Sequence, residues 1–213
     1  MSEFDFEPIR GLPEPLPPGE GLLWQGAPQW GPLAQRAFHV RAIGVYFSLL
    51  ILLRFIIIIV DGDPLTVAIG SALWLLLLGL AAMVILTLLA WFYARSTVYS
   101  ITDRRIVIRF GLALPMAVNI PFKSIEAADL ISHDDGTGDI FLKLIKDQKV
   151  NYWVMWPNVR PWYFFNVQPM LRALADAKSA GAILAAALRA VANETTASHP
   201  ARTADESQVS ATT

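Results

Sequence analysis

The segment that most resembles a metal site is the run Asp-Asp-Gly-Thr-Gly-Asp at residues 134–139. A calcium-binding loop needs alternating oxygen ligands and an acidic residue at its twelfth position, and counted from Asp134 that position is the apolar Ile145. Glycine and aspartate are also the residues that favour tight turns. The run therefore predicts a β-turn between two strands rather than a calcium site.

No other group of residues has the spacing of a catalytic or metal site. The three histidines, His39, His133 and His199, are far apart in the sequence, and no two of them have the spacing of metal ligands. The chain has no cysteine, so thiolate catalysis, disulfides and cysteine-based metal sites are excluded. No serine or threonine stands in a nucleophile motif, and no glycine-rich phosphate loop is present. We therefore expect a protein that is not an enzyme and has no bound metal.

Two long apolar runs dominate the sequence. Residues 42–60 form a 19-residue run that contains only one charge, Arg54, and residues 65–93 form a 29-residue run without any charge. About 20 apolar residues suffice to cross a bilayer. The intervening Asp-Gly-Asp-Pro at 61–64 contains residues that end one helix and begin another. The runs predict a transmembrane hairpin, since the remaining chain is too small to bury them in a soluble core.

The charges beside the hairpin predict its orientation. Basic residues remain on the cytoplasmic side of a membrane, and here they flank both outer ends of the hairpin, whereas the connecting turn has two aspartates and no cation. The acidic N-terminus does not resemble a cleaved signal peptide. We expect a multi-pass protein of the bacterial inner (cytoplasmic or intracytoplasmic) membrane, with both termini in the cytoplasm. The flanking cations are Arg36, Arg41, Arg95, Arg104, Arg105 and Arg109.

The sequence after the hairpin changes to short β-like runs separated by turns. Regular strands of this kind indicate an antiparallel sandwich or barrel, and a helix opened by Pro161 and containing Phe165, Met170, Leu171 and Leu174 is expected to cover one end. This is a pleckstrin-homology-like (PH-like) arrangement, so the predicted fold class is an α+β membrane protein. Strands are predicted at 97–101, 106–110, 117–121, 125–131, 139–145 and 150–156.

Composition suggests five segments. Seven of the fourteen prolines lie within residues 1–35, which favours extended backbone with little regular structure, whereas the last twenty residues are small and polar, as in disordered segments. The predicted segments are a Pro-rich cytoplasmic arm (1–35), the hairpin (36–95, with spans 42–60 and 65–93), the PH-like domain (96–177), an Ala-rich helix (178–193) and a disordered tail (194–213).

Small residues recur within both spans at intervals of three, four and seven. Such spacing places them on one helix face, where close backbone approach holds helices together in lipid. We expect these faces to meet, or to offer a packing surface to partner helices; the alternative is chance in an Ala- and Gly-rich sequence. The residues are Gly44, Ser48, Ala68, Ala72, Gly79 and Ala82.

Arg54 has two interpretations. It lies two helical turns before Asp61, so its side chain can extend along the helix toward Asp61 or Asp63. Alternatively, it contacts an acidic group or a cofactor carbonyl of a partner membrane protein, because charges inside a span are costly and usually functional.

Two further pairs are candidates for contacts. Trp24 and Trp30 in the arm are expected to dock onto the chain's own soluble domain or onto a partner. Arg104 and Arg105 follow the hairpin closely and are candidates for lipid headgroup contact. A net charge of -1 does not indicate nucleic-acid binding, and ten cations against eight acids between residues 95 and 177 do not indicate a specific headgroup pocket.

Five segments carry a resemblance to a known family: FDFEPIRGLP (4–13), PGEGLLWQGAP (18–28), RAFHVR (36–41), YSITDRRIVIR (99–109) and YWVMWP (152–157). With these segments the chain resembles the photosynthetic complex assembly protein PuhB family of purple phototrophic bacteria. The similarity covers about residues 4–176, and the N-terminal segments are its most specific part.

The resemblance implies a non-enzymatic assembly factor or scaffold for the reaction centre and its light-harvesting 1 antenna. It implies these polypeptides, membrane lipids and a second copy of the chain, in a homodimer, as partners. It supplies no functional residues. Neither span contains a histidine, so we expect no stable cofactor and at most transient contact with bacteriochlorophyll. Two alternatives remain: a generic membrane-anchored PH-like protein in envelope homeostasis or lipid and protein binding, and an enzyme or transporter subunit.

Overall fold

The computed structural model describes residues 11–12, 15–111, 115–145 and 151–198, with side chains up to residue 193. Residues 28–96 form one compact unit, called here the helical unit. The described residues on either side of that range form a second compact unit, called here the β unit.

The helical unit consists of α1 (Trp30–Arg36), α2 (Val40–Val60) and α3 (Leu65–Ser96). Residues 61–64 form the turn between α2 and α3, in which the Asp61 N–H donates to Ile57 O (3.0 Å) and Gly62 has a φ of 80°. The predicted helical hairpin is therefore confirmed. α2 and α3 are both long and apolar enough to cross a membrane. In each of them, only 6% of an apolar stretch of 18 residues is buried within the chain.

The β unit contains seven strands in two antiparallel sheets, with strand orders β1-β2-β3-β4 and β5-β6-β7. A short 3₁₀ turn, Phe122–Ser124, connects the two sheets. The predicted combination of apolar helices, antiparallel sheets and a C-terminal helix is confirmed. The strands are β1 (Leu22–Gly26), β2 (Val98–Thr102), β3 (Arg105–Phe110), β4 (Met116–Pro121), β5 (Ile125–Ser132), β6 (Gly138–Leu144) and β7 (Met170–Leu174).

The N-terminal arm contributes an edge strand to the first sheet. The expectation of little regular structure is wrong for Leu22–Gly26, which pairs with β2 as β1, and for the part of α1 that begins at Trp30. The pairing satisfies backbone groups of β1. The Trp24 ring lies where a side chain at position 26 would stand, so a residue larger than Gly26 would displace that ring. The prolines on either side of this five-residue strand made the whole arm appear irregular in the sequence.

The strand predicted at 150–156 is wrong. Tyr152–Met155 form a short helix, α4, and Val150 lies outside the described residues. The Asn151 side chain caps this helix by accepting a hydrogen bond from the Trp153 N–H (3.0 Å). An asparagine cap outweighed the strand preference of the aromatic residues around it.

The helix predicted from Pro161 is also wrong. Its second half is β7, which pairs with β6 through Phe141 and Met170. All five residues of β7 are buried, so the strand shows none of the alternation by which a half-buried strand is identified. The covering role belongs instead to α5 (Ala177–Ser198), whose Ala180 and Leu184 are buried. The predicted Ala-rich helix (178–193) is present and extends to Ser198, so the expectation of a disordered tail is wrong for 194–198. The rest of that tail lies outside the described residues.

The Asp-rich run forms the predicted turn, which connects β5 and β6. The His133 N–H donates to Thr137 O (2.8 Å), and Asp135 Oδ1 accepts from the Thr137 N–H (3.1 Å) and hydroxyl (2.6 Å). Asp139 accepts from the Ala173 N–H (2.7 Å) and lies 2.9 Å from His133 Nε2. These carboxylates therefore stabilise the turn and the β6–β7 pairing.

Tyr99 connects the two sheets at the centre of the β unit. Its hydroxyl donates to Asn158 Oδ1 (2.8 Å) and accepts from the Arg172 N–H (3.2 Å), and both Tyr99 and Asn158 are fully buried. Burial raises the pKa of Tyr99 well above its ordinary value, so the hydroxyl remains a neutral donor. Tyr99 on β2 is thereby hydrogen-bonded both to β7, at Arg172, and to the segment that precedes β7, at Asn158.

We expect Tyr99→Phe to lower the free energy of unfolding by about 1–3 kcal/mol, because it removes a hydrogen bond from the buried Asn158 amide. The check is the thermal unfolding midpoint of the purified chain in detergent, followed by near-ultraviolet circular dichroism. Tyr163→Phe is the matched control, since Tyr163 is exposed. Equal midpoints for the two variants would contradict the assignment of Tyr99.

Candidate interaction surfaces

The interface between α2 and α3 is built from glycine notches that accept large side chains. A Cβ added at Gly79 would lie 2.8 Å from Cγ of Phe47, and one added at Gly44 would lie 3.2 Å from Sδ of Met83. Each glycine therefore admits a side chain of the neighbouring helix. Ala68 is fully buried. The small residues thus include two that serve the hairpin's own packing.

The other predicted packing residues lie in different positions. Ala72 and Ala82 are half-buried, whereas Ser48 is exposed and its hydroxyl donates to Gly44 O (2.9 Å). Only some of the predicted small residues therefore lie at the interface between α2 and α3. Ser48 lies instead on the outer surface of α2.

Arg54 is exposed on α2. It lies six residues before the end of the helix, a distance of about 9 Å along the axis. Within the described part of the chain, neither Asp61 nor Asp63 forms an ion pair with Arg54. The guanidinium is therefore presented on the apolar outer surface of the hairpin.

The arm residues and the two arginines belong largely to one local arrangement in the β unit. Trp24 is half-buried in β1, next to β2, while Trp30 is exposed at the start of α1. Arg105 forms an ion pair with Glu20 (2.8 Å), whose side chain is almost completely buried. Arg104 donates to Gly19 O (3.3 Å) but remains exposed. These arginines hold the arm against the sheet, and Arg104 is the more available of the two.

A groove of about 610 Å³ lies between α5 and the start of β5. Its lining is mostly apolar, with Lys123 as its cation and Glu126 as its carboxylate, and Glu126 also pairs with Lys143 (2.7 Å). A phosphorylated headgroup is normally bound by several cations together. Among the described residues, the lining of this groove has no such cluster.

The most conspicuous surface of the β unit is one that the sequence analysis did not select. It is called here the aromatic surface, and it lies on α4 and the segment between α4 and β7. The prediction of a strand followed by a helix would have divided these residues between two elements. Its members, all exposed, are Trp153, Trp156, Trp162, Tyr163, Phe164 and Phe165.

The tip of this surface, residues 161–167, is carried on a short hydrogen-bonded stem. The Arg160 N–H donates to Gln168 O (2.9 Å), and the Met170 N–H donates to Asn158 O (2.9 Å). Val159 forms an isolated antiparallel bridge with Pro169. The tip is thus tied to the buried Tyr99 hydrogen bonds through Asn158.

Comparisons with known proteins identify relatives of the chain. The bacterial PH domain family matches residues 42–187, a range that includes α3 and all but the first two residues of α2. A Rhodobacter capsulatus protein, described as an uncharacterized 23.7 kDa protein in the puhA 5′ region, is 36% identical over 196 residues, with 90% of each chain covered. No solved structure matches the chain.

The glycine notches give a direct test of the hairpin interface. We expect Gly79→Leu to destabilise the purified chain by about 1–3 kcal/mol, since a larger side chain must displace Phe47. The measurement is the thermal midpoint and the monodisperse fraction in detergent. Gly70→Leu is the matched control on the same helix, because no atom lies within 4 Å of a Cβ added there. Similar losses in both variants would contradict the interface.

Proposed function

The chain belongs to the bacterial PH-domain family, and from that premise we propose that it is a non-enzymatic assembly factor for the photosynthetic reaction centre and its light-harvesting 1 antenna. The observation that carries the proposal is the relative described by its position in the puhA 5′ region, because its similarity extends over 90% of both chains. Such a position fits the function implied by the resemblance to the PuhB family. A shared domain alone would not give similarity over this length.

The proposed site of action is the bacterial inner membrane. In this proposal α2 and α3 cross the bilayer, the acidic turn at 61–64 lies on the far side, and the β unit and both termini lie in the cytoplasm. The flanking arginines and the absence of Lys and Arg from the turn support that orientation. Membrane lipids are then obligatory partners of the hairpin.

The proposed mechanism is scaffolding by the outer faces of the hairpin. Because Gly44 and Gly79 are occupied by side chains of the hairpin itself, the surface available to reaction-centre or antenna helices consists of the exposed residues around Ser48 and Arg54. An arginine on a lipid-facing surface costs about 2.5–3.5 kcal/mol at the centre of a helix and less toward its end, where Arg54 lies. A carboxylate on a partner helix would offset this cost, which makes Arg54 the proposed partner contact.

The β unit has a supporting role in this proposal. It provides surfaces for the cytoplasmic face of the partner or for a second copy of the chain. Trp30, at the start of α1 in the helical unit, is a further exposed aromatic anchor. Pigment contact, if it occurs during assembly, is transient, because neither long helix contains a histidine. The chain holds its partners and performs no chemistry.

The experiment is affinity purification of the tagged chain from membranes of phototrophically grown cells, with mass spectrometry and an absorption spectrum of the eluate. Enrichment of reaction-centre or light-harvesting 1 polypeptides over an unrelated tagged two-span protein supports the proposal. Absence of these polypeptides, together with unchanged phototrophic growth of a deletion strain, would refute it. A deletion strain with envelope defects under all growth conditions would favour a general envelope role.

We expect Arg54→Leu to leave membrane insertion and the amount of the chain unchanged while reducing the recovery of photosynthetic polypeptides several-fold, since it removes a charge–carboxylate contact in lipid. Arg54→Lys keeps the charge and should retain most of the recovery. The measurement is quantitative mass spectrometry of the eluates. Recovery with Arg54→Leu equal to that of the unchanged chain would show that Arg54 makes no partner contact.

A further inference from the structure

The exposed aromatic side chains next to α4 point to a second membrane contact. We propose that the aromatic surface inserts into the headgroup region of the bilayer that the hairpin crosses, so that the β unit is held against the lipid by its own side chains. The proposed ligand is a lipid surface. This inference depends on the hairpin spanning a membrane and is independent of the photosynthetic function.

The exposure and type of these residues fit a lipid interface. Trp153, Trp162 and Phe165 have relative exposures of 77%, 85% and 101%, so their rings project away from the β unit. Large apolar rings are rarely left in water in this number within one short segment. Tryptophan and tyrosine prefer the membrane–water interface, where the apolar ring and the polar atom are both satisfied.

The charge of the segment that carries the aromatic surface also fits a lipid interface. Residues 151–167 contain one cation, Arg160, and no carboxylate. The Arg160 guanidinium lies 4.5 Å from the ring centre of Tyr163 and 5.0 Å from that of Phe141, and it donates to Gln168 Oε1 (3.0 Å). A segment without acids approaches an anionic headgroup layer without repulsion. Its one charge is positive and is held at the base of the tip.

The tip is organised before it meets a ligand. The stem bonds at Arg160 and Met170 fix both of its ends, and Phe164 packs against Tyr152 with ring centres 4.6 Å apart. Trp162 has a φ of 68°, a conformation that turns the chain sharply at the most exposed part of the loop. A pre-ordered apolar projection loses little entropy when it inserts.

The connections of the chain favour the lipid surface as the occupant. One residue, Thr97, separates α3 from β2, so the β unit follows the hairpin in the sequence without a linker. The next residue of that strand is Tyr99, whose hydroxyl binds Asn158 at the base of the stem. The base of the aromatic loop is therefore bonded to the strand that leaves the hairpin.

The absence of cysteine makes a site-specific test possible in the full-length chain. Asn166→Cys adds a single label to the exposed tip and keeps every aromatic residue, while Asp134→Cys adds one to the exposed β5–β6 turn. Each variant is labelled with an environment-sensitive fluorophore and reconstituted in phosphatidylcholine–phosphatidylglycerol vesicles. The measurements are the emission wavelength and the quenching by lipid-attached quenchers.

We expect the label at position 166 to emit at shorter wavelength and to be quenched strongly by the lipid-attached quencher, and the label at position 134 to behave as in water. Trp162→Ala with Phe165→Ala should abolish quenching at position 166, whereas Ile131→Ala, which removes an exposed apolar side chain elsewhere in the β unit, should not. Equal, water-like behaviour of the two labels in these vesicles would overturn the proposal. An emission shift at position 166 that occurs only in membranes containing photosynthetic complexes would also overturn the proposal, and it would assign the surface to a protein partner.

Discussion

The constraint on which the rest of the structure depends is the amount of apolar sequence that must be kept out of water. Two helices, Val40–Val60 and Leu65–Ser96, are almost unburied within the chain itself. Helical backbone satisfies its own hydrogen bonds, so both segments are compatible with lipid as solvent. The short turn at 61–64 then forces them to run antiparallel, and the two chain ends leave on the same side.

The β unit follows from that hairpin because it is assembled from both sides of it. β1 precedes the helical unit and β2 follows it, yet the two strands pair with each other in one sheet. The arm is therefore part of the PH-like fold, and the Glu20–Arg105 ion pair strengthens the same junction. In the sequence the hairpin stands between β1 and β2, and the family match at residues 42–187 covers β2 but not β1.

Large parts of this fold could be predicted from the sequence because their patterns were local. The hairpin followed from apolar length and the Asp-Gly-Asp-Pro turn, and β2 to β6 followed from short runs between Gly- and Asp-containing turns. β7 could not be identified because complete burial removes its alternation. α4 was missed because its cap, Asn151, is one residue in a run of strand-favouring aromatics.

The interaction surfaces were predicted less well, and for a physical reason. Small residues at helical spacing indicate that a face is packed, but they do not distinguish a neighbour in the same chain from a partner, and Gly79 meets Phe47 of its own hairpin. Exposure of Trp162 and Phe165 depends on the stem, whose Asn158 is held by Tyr99 from a strand far away in the sequence. No periodic pattern in the sequence reports such an arrangement.

The central claim is that the hairpin crosses the membrane and leaves the β unit on the cytoplasmic side. Single cysteines introduced in the cysteine-free chain at Asp63 and at Asp129 test it most directly, with a membrane-impermeant maleimide applied to intact spheroplasts and to lysed cells. The account predicts labelling at position 63 in intact spheroplasts and at position 129 only after lysis. Labelling at position 129 in intact spheroplasts would contradict it.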